Sequence, residues 1–240
     1  MNTVPCYLYA ITAADHPAQT DSLVGVGDPP AELRVVQAGE VKAYISDVPE
    51  DLKARRRHLL AHQEVLNALL GEGPVLPMQF GHIAPDEAQI REVLGERSAD
   101  FLEQLQRVGD CVEFHVKATR AEADVIREVT QGSDEIQQLR QRAQRPGASH
   151  EDQVALGEAV SRAIASQRAS DGADLHERLA PAAGDSRAAD PAPEESLAAS
   201  YLVPVSGAEE FGRLVTTEQN RLGDGWEVRL FGPLPPYSFV

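Results

Sequence analysis

His58 and His62 stand four residues apart, one helical turn, the spacing at which two imidazoles can be offered to one metal ion. A zinc site asks for three or four protein ligands, and the surroundings supply no third, since Glu64 points to another face of the same helix. His62 also keeps apolar company in Leu59 and Leu66, so a hydrogen-bonded core histidine is expected, and no metal. His82, after Phe80-Gly81, reads as an exposed loop residue. Gly25-x-Gly27 runs into Asp28-Pro29-Pro30 instead of a helix, and no Walker-type loop exists, so neither a dinucleotide nor a phosphate cradle forms. Ser161 and Ser206-Gly207 lack a nucleophile-elbow context, while Glu194-Glu195 and Glu209-Glu210 read as solvated linker or helix-start carboxylates. Nucleophile, base and oxyanion donor cannot be assembled from these pieces, so no catalytic residue and no cofactor is expected.

Composition narrows the partners. A formal net charge of −16 and a pI near 4.8 disfavour nucleic acid and anionic membrane surfaces, which are held by neutralising phosphates with Lys and Arg. No apolar run approaches the roughly 18 residues that span a bilayer, and Met1 to Pro5 lacks the basic and apolar regions of a secretory leader, so a cytoplasmic protein is expected. Cys6 and Cys111 are too few to staple 240 residues and read as small buried hydrophobes. Lys53-Ala54-Arg55-Arg56-Arg57 and the trio Arg140, Arg142 and Arg145 are basic clusters on an acidic background, read as solvated helical faces or as contacts to acidic segments.

The elements that must position these residues follow from periodicity. Cys6 to Thr12 reads as a strand followed by a loop from Ala13 to about Pro30, and Leu33–Gln37 with Val41–Ser46 as a hairpin around Gly39. Pro49-Glu50-Asp51 suits a helix entrance, with Leu52, Leu59, His62, Leu66, Leu69 and Leu70 on one face and a stop at Gly71-Glu72-Gly73-Pro74. Val75 to Phe80 reads as a short buried strand, and Asp86 to Val108 as one helix buried through Ile90, Val93, Leu94, Phe101, Leu102, Leu105 and Val108.

From Cys111 the residues Val112, Phe114, Val116 and Ala118 alternate toward a core. Helical stretches follow, interrupted at Arg145-Pro146-Gly147 and restarted by a Ser149/Asp152 cap, with a stripe thin enough to suggest two long helices pairing with each other. A polar loop flanked by ragged strand from Ala182 to Glu195, a strand from Leu197 to Val205, a helix capped by Ser206 and a strand from Trp226 to Phe231 complete the order strand, helix, strand, strand, helix, strand of a ferredoxin-like unit. The expected fold class is α+β in two domains: an antiparallel-sheet α+β domain over 1–109, and a modified ferredoxin-like domain over 110–240 with a helical insertion at about 131–181 and a docking tail at 232–240.

That tail, Gly232-Pro233-Leu234-Pro235-Pro236-Tyr237-Ser238-Phe239-Val240, holds three prolines and almost no charge, so it can be neither helix nor central strand. Leu234, Tyr237 and Phe239 either fold back over an apolar face or join Trp226 and Phe231 in a surface that receives another protein. With Tyr7-Leu8-Tyr9-Ala10-Ile11, His62, Val75-Leu76-Pro77-Met78-Gln79-Phe80-Gly81 and Tyr201-Leu202-Val203, in that order, this ending resembles the GvpF/GvpL family of gas vesicle accessory proteins. Only Gln131 to about Glu195 lacks matching landmarks, and Leu234 stands where the family ending usually carries Trp.

The resemblance implies a non-catalytic protein of the gas vesicle and cytoplasm that binds the small, very hydrophobic shell subunit (GvpA-type) and other accessory proteins, with no nucleic acid or membrane partner. Tyr7, Tyr9, His62, Phe80, Trp226, Phe231, Leu234, Tyr237 and Phe239 are the candidate partner-binding residues. The alternative is an enzyme or a metal or metabolite sensor on the ferredoxin-like scaffold, with His58 and His62 in a pocket.

Overall fold

A computed structural model describes residues 4–20, 23–50 and 52–240. Met1 to Thr3 of the expected N-terminal reading, Asp21 and Ser22 of the expected loop, and Asp51 of the expected helix entrance lie outside the described residues. The chain divides into two compact units, Met1–Glu113 with Pro233–Val240, and Phe114–Gly232.

In the first unit, β1 (Cys6–Ala13) is the strand on which the rest is built; it pairs antiparallel with β3 (Val41–Asp47), which forms an antiparallel hairpin with β2 (Arg34–Ala38), giving the order β2-β3-β1. Gly39, at φ 60°, supplies the left-handed residue that the β2–β3 turn needs. α1 (Arg56–Leu70) leads to β4 (Leu76–Pro77) and β5 (Ile83–Ala84), two short segments that pair with different stretches of β1. α2 (Glu87–Glu96) and α3 (Ser98–Val108) follow. Cys6 to Thr12 is buried throughout because both faces of β1 are covered. Tyr7 and Tyr9 pack with Val65, Leu66 and Leu69 of α1, while Leu8 and Ile11 face Ile90 and Leu94 of α2.

Three local expectations are corrected here. α1 begins at Arg56, not beside Pro49, because the Lys53 carbonyl, which a longer helix would bond internally, is bonded by His58 Nδ1 at 2.9 Å. Its buried face is therefore His58, His62, Val65, Leu66 and Leu69, and Leu59 is 42% exposed. The strand expected over Val75–Phe80 shrinks to two residues: Pro77 has no N–H for the ladder, and after Met78 N–H bonds the Tyr9 carbonyl at 2.8 Å the chain turns away. The helix expected over 86–108 is two helices, broken at Arg97 (φ −111°, ψ 18°), two residues after Gly95, whose helix propensity is poor.

The second unit carries β6 (Cys111–Arg120), which starts in the first, then α4 (Glu122–Gly132), α5 (Asp134–Ala143), α6 (His150–Leu179), β7 (Asp185–Ala188), β8 (Glu195–Pro204), α7 (Ala208–Leu222) and β9 (Trp226–Leu234). The sheet order β7-β8-β6-β9 is that of a ferredoxin-like βαββαβ chain. Its core joins Phe114, Phe211 and Tyr201, with ring centroids 5.4 and 5.2 Å apart in succession.

The Ser149/Asp152 capping box forms as expected. Ser206 does not cap α7, whose N-cap position is Gly207 without a side-chain bond. The C-terminal half of α6 lies on β8 and does not only pair with a second helix. A Cβ on Gly172 would sit 1.8 Å from the Ser196 carbonyl oxygen, so only glycine allows this approach. The tail, expected as the end of the second domain, packs with the first unit, where Tyr237 joins the Tyr7–Tyr9–Leu66 cluster.

Candidate functional site

Pro235 and Pro236, both buried, fix an extended approach, and a single 3-10 turn, Tyr237–Phe239, ends the ordered tail. Phe239 is fully buried. The polar groups between the anchors are met by the first unit itself. Glu113, fully buried, accepts the Ser238 backbone N–H at 2.8 Å through Oε2 and the Ser238 hydroxyl through Oε1. The Arg107 guanidinium donates to the Phe239 carbonyl. Charge-assisted bonds of this kind are about twice as strong as neutral ones, so the tail is gripped at its backbone as well as by its rings.

Beneath Tyr237 lies His62. The Met78 carbonyl, which can only accept, lies 3.1 Å from Nε2 and places the ring proton there. Nδ1 then accepts from the Tyr7 hydroxyl at 3.0 Å, and the Tyr7 oxygen accepts the Gly81 N–H at 3.1 Å. Tyr237 Oη, 3.4 Å from Nε2, shares the same proton. Tyr9 completes the cluster: its ring stacks on His62 at 5.6 Å, its hydroxyl bonds Ser46 at 2.9 Å, and it accepts the Val26 N–H at 2.7 Å. Phe80 closes it edge-on to Tyr7 at 5.9 Å.

Burial pushes His62 below its usual pKa, against a smaller opposing effect of the Met78 carbonyl, and keeps the ring neutral. Burial also raises the Tyr7 phenol and, with a smaller contribution from the charge of Glu113, pushes Tyr237 up to about 12. The cluster is a neutral, internally bonded clamp that fixes residues 78–82 against β1.

Those residues lead directly to a second feature. The His82 carbonyl accepts Leu8 N–H at 3.0 Å, and the next residue, Ile83, forms one wall of an apolar groove of about 250 Å³ whose other walls include Leu8, Ile11, Ile90, Val93 and Leu94. Ile83 and Val93 are 46% and 39% exposed at its rim. Val93 was expected in the core, but the α2 stripe narrows to Ile90 and Leu94 and leaves it outward.

The sequence candidates thus separate. Tyr7, Tyr9, His62, Phe80 and Tyr237 come together, and Phe239 is buried beyond them at the end of the tail; Tyr7, Tyr9 and Phe239 are fully buried and reach no partner while the tail is seated. Trp226 is half-buried, with the Arg120 guanidinium 5.8 Å from its ring centroid. Phe231 is 46% exposed on β9, and Leu234 is half-buried at its end.

His58 bonds the Lys53 carbonyl through one nitrogen and accepts from Arg57 Nε at 3.2 Å through the other. Neither it nor His62 offers a nitrogen to a metal, and no group of three or more His, Cys, Asp or Glu suited to a metal occurs among the described residues. Arg107 and Glu113 were missed by sequence reasoning. Period-two alternation places Glu113 on a solvent face, and its partner Ser238 lies 125 residues away.

Residues 5–240 match the sequence model of the family described as gas vesicle synthesis protein GvpL/GvpF. Gas vesicle protein F of a Streptomyces species is 38% identical over 238 residues, covering 98% of each chain. Gas vesicle protein L1 of Halobacterium salinarum is 26% identical over 258 residues, covering 98% of this chain and 89% of its own. The crystal structure of GvpF from an Anabaena species shares the fold with a TM-score of 0.84 at 20% identity, covering 99% of this chain and 98% of the other. GvpF from Microcystis aeruginosa does so with a TM-score of 0.80, also at 20% identity and with 99% of both chains covered. No described helix is long and apolar enough to cross a membrane.

Proposed function

Because the chain belongs to the GvpL/GvpF family of gas vesicle synthesis proteins, we propose that this gas vesicle accessory protein acts without catalysis, holding the hydrophobic shell subunit during nucleation or assembly. The observation that carries this reading is the apolar groove between β1, β5 and α2, with Ile83 and Val93 exposed at its rim. A subunit with a water-excluding face aggregates when free, and a carrier of net charge −16 that covers part of that face keeps the complex dispersed. Each large aliphatic side chain moved from water into such a groove contributes about 1.5–3 kcal/mol.

The tail clamp takes part indirectly: by fixing residues 78–82 it sets the wall that Ile83 presents. An F-type role fits best, since identity is 38% to the Streptomyces F protein and 26% to the L protein of the same strain. The test is co-expression with the shell subunit, followed by pull-down and light scattering. Retained, soluble subunit supports the reading, and aggregation unchanged with nothing retained overturns it.

A further inference from the structure

The two ends of α1 carry charge of the wrong sign for a helix. Among the seven α-helices of the described residues, only α1 has no acidic residue in its first turn; Arg56 and Arg57 stand there instead, preceded by Lys53 and Arg55. At the other end, no basic residue occupies the last turn and Glu72 follows the Gly71 cap. Cations at the positive end and a carboxylate past the negative end both oppose the helix dipole, so the arrangement weakens the isolated fold.

Each end is also a surface. Lys53 to Arg57 is exposed, and Leu59 and Leu60 beside it are 42% and 50% exposed. Four of the nine Lys and Arg residues before Phe114 fall in these five positions. Arg57 reaches Asp28 at 2.7 Å; Lys53 and Arg56 are exposed, as are the two leucines. At the C-terminal end of α1 lies a cleft of about 690 Å³, rimmed by Asp15, Glu40 and Glu72, all exposed, over the apolar side chains Leu102 and Leu105. His16 lines it, only 6% exposed. Its Nδ1 accepts Ala18 N–H at 3.3 Å, which leaves the proton on Nε2, and that atom has no hydrogen-bond partner although the backbone of Leu69 and Gly73 lies near.

We infer that this basic, leucine-bearing ridge docks in the acidic cleft of a second copy of the chain, joining copies head to tail along α1. Charge complementarity between two surfaces of one unit is what selects the occupant: ammonium and guanidinium groups meet the three rim carboxylates, the leucines cover the apolar floor, and a backbone carbonyl of the incoming segment accepts from His16. The ridge and the cleft sit at opposite ends of a 15-residue helix, about 22 Å apart at 1.5 Å per residue. One copy therefore cannot satisfy both, and the contact is heterologous.

The test is sedimentation velocity on the full chain at low and high salt. Lys53→Glu/Arg56→Glu and Glu40→Lys/Glu72→Lys should each weaken self-association at least tenfold at low salt with melting temperature retained, and an equimolar mixture of the two variants should recover it as a 1:1 complex. A wild-type chain that stays monomeric at low salt and high concentration overturns the inference. So does association that neither variant alters. If the cleft variant instead loses binding of another gas vesicle protein while no self-association exists, the cleft serves that protein and the second copy is wrong. Shell-subunit retention through the Ile83–Val93 groove is read separately, so failure here leaves that assay untouched.

Discussion

Two aromatic pairs from the same terminal stretch meet opposite fates. Trp226 and Phe231 remain at the surface of β9, half-buried and 46% exposed respectively, whereas a few residues on Tyr237 joins the clamp and Phe239 is fully buried. Ring hydrophobicity does not separate them. What differs is the provision for the backbone and polar tips that must be buried along with the rings: Glu113 takes Ser238, Arg107 takes the Phe239 carbonyl, and His62 receives Tyr237. An apolar chain end stays in only where its intervening polar groups are answered. The terminal aromatics are thus mainly structural, and the surface left for a hydrophobic partner is the groove that they help to shape.

The sharpest way to break this contrast is to truncate one ring from each pair. Phe239→Ala should lower unfolding stability by about 3–5 kcal/mol, the usual range for a buried phenylalanine, while Phe231→Ala should stay within about 0.5 kcal/mol in the same denaturant titration. Equal effects would erase the distinction. Glu113→Ala leaves the Ser238 donors without their acceptor and should cost about 1–3 kcal/mol, with faster proteolytic nicking around Pro235 as the accompanying sign.

Tyr7→Phe keeps the ring and removes one hydroxyl that donates to His62 and accepts from Gly81. Its expected loss is about 1–2 kcal/mol, together with increased amide exchange at Gly81. The smallest effect is on pH dependence. The folded pKa of His62 lies below the unfolded reference of 6.5, so between the two values the unfolded chain binds a proton that the folded chain does not. Stability is full above about pH 6.5 and falls as pH drops through the lowered folded value. His62→Gln should flatten that part of the acid slope without abolishing it, because His16 is shifted in the same direction.

The fold class could be read in the sequence because its signals are local: the Gly39 hairpin, the Ser149/Asp152 box and the alternation of Val112, Phe114, Val116 and Ala118 each specify their own element. Structure and periodicity part where a single backbone or side-chain bond outweighs the apolar stripe. The start of α1 moved because a histidine three residues into the helix took the Lys53 carbonyl, and the α2–α3 break interrupts a stripe that reads as continuous. The residues of the clamp were mostly named from the sequence, with folding back over an apolar face and a partner-receiving surface both open for the tail. Their burial depends on Glu113 and Arg107, 125 and 132 residues from their tail partners, and no spacing rule reaches that far. The groove was invisible for a related reason: Val93 belongs to an apolar stripe, and only the packing of α2 through Ile90 and Leu94 leaves it at the rim.

The measurement that addresses the central claim most directly is shell-subunit retention by Val93→Glu beside Phe231→Glu, each first shown to melt as the unmodified chain does. A charge at the groove rim should reduce retained, soluble shell subunit to background, while the same charge on β9 leaves it unchanged. Full retention by Val93→Glu, or loss only in Phe231→Glu, would contradict the account and move the binding surface to the sheet edge of the second unit.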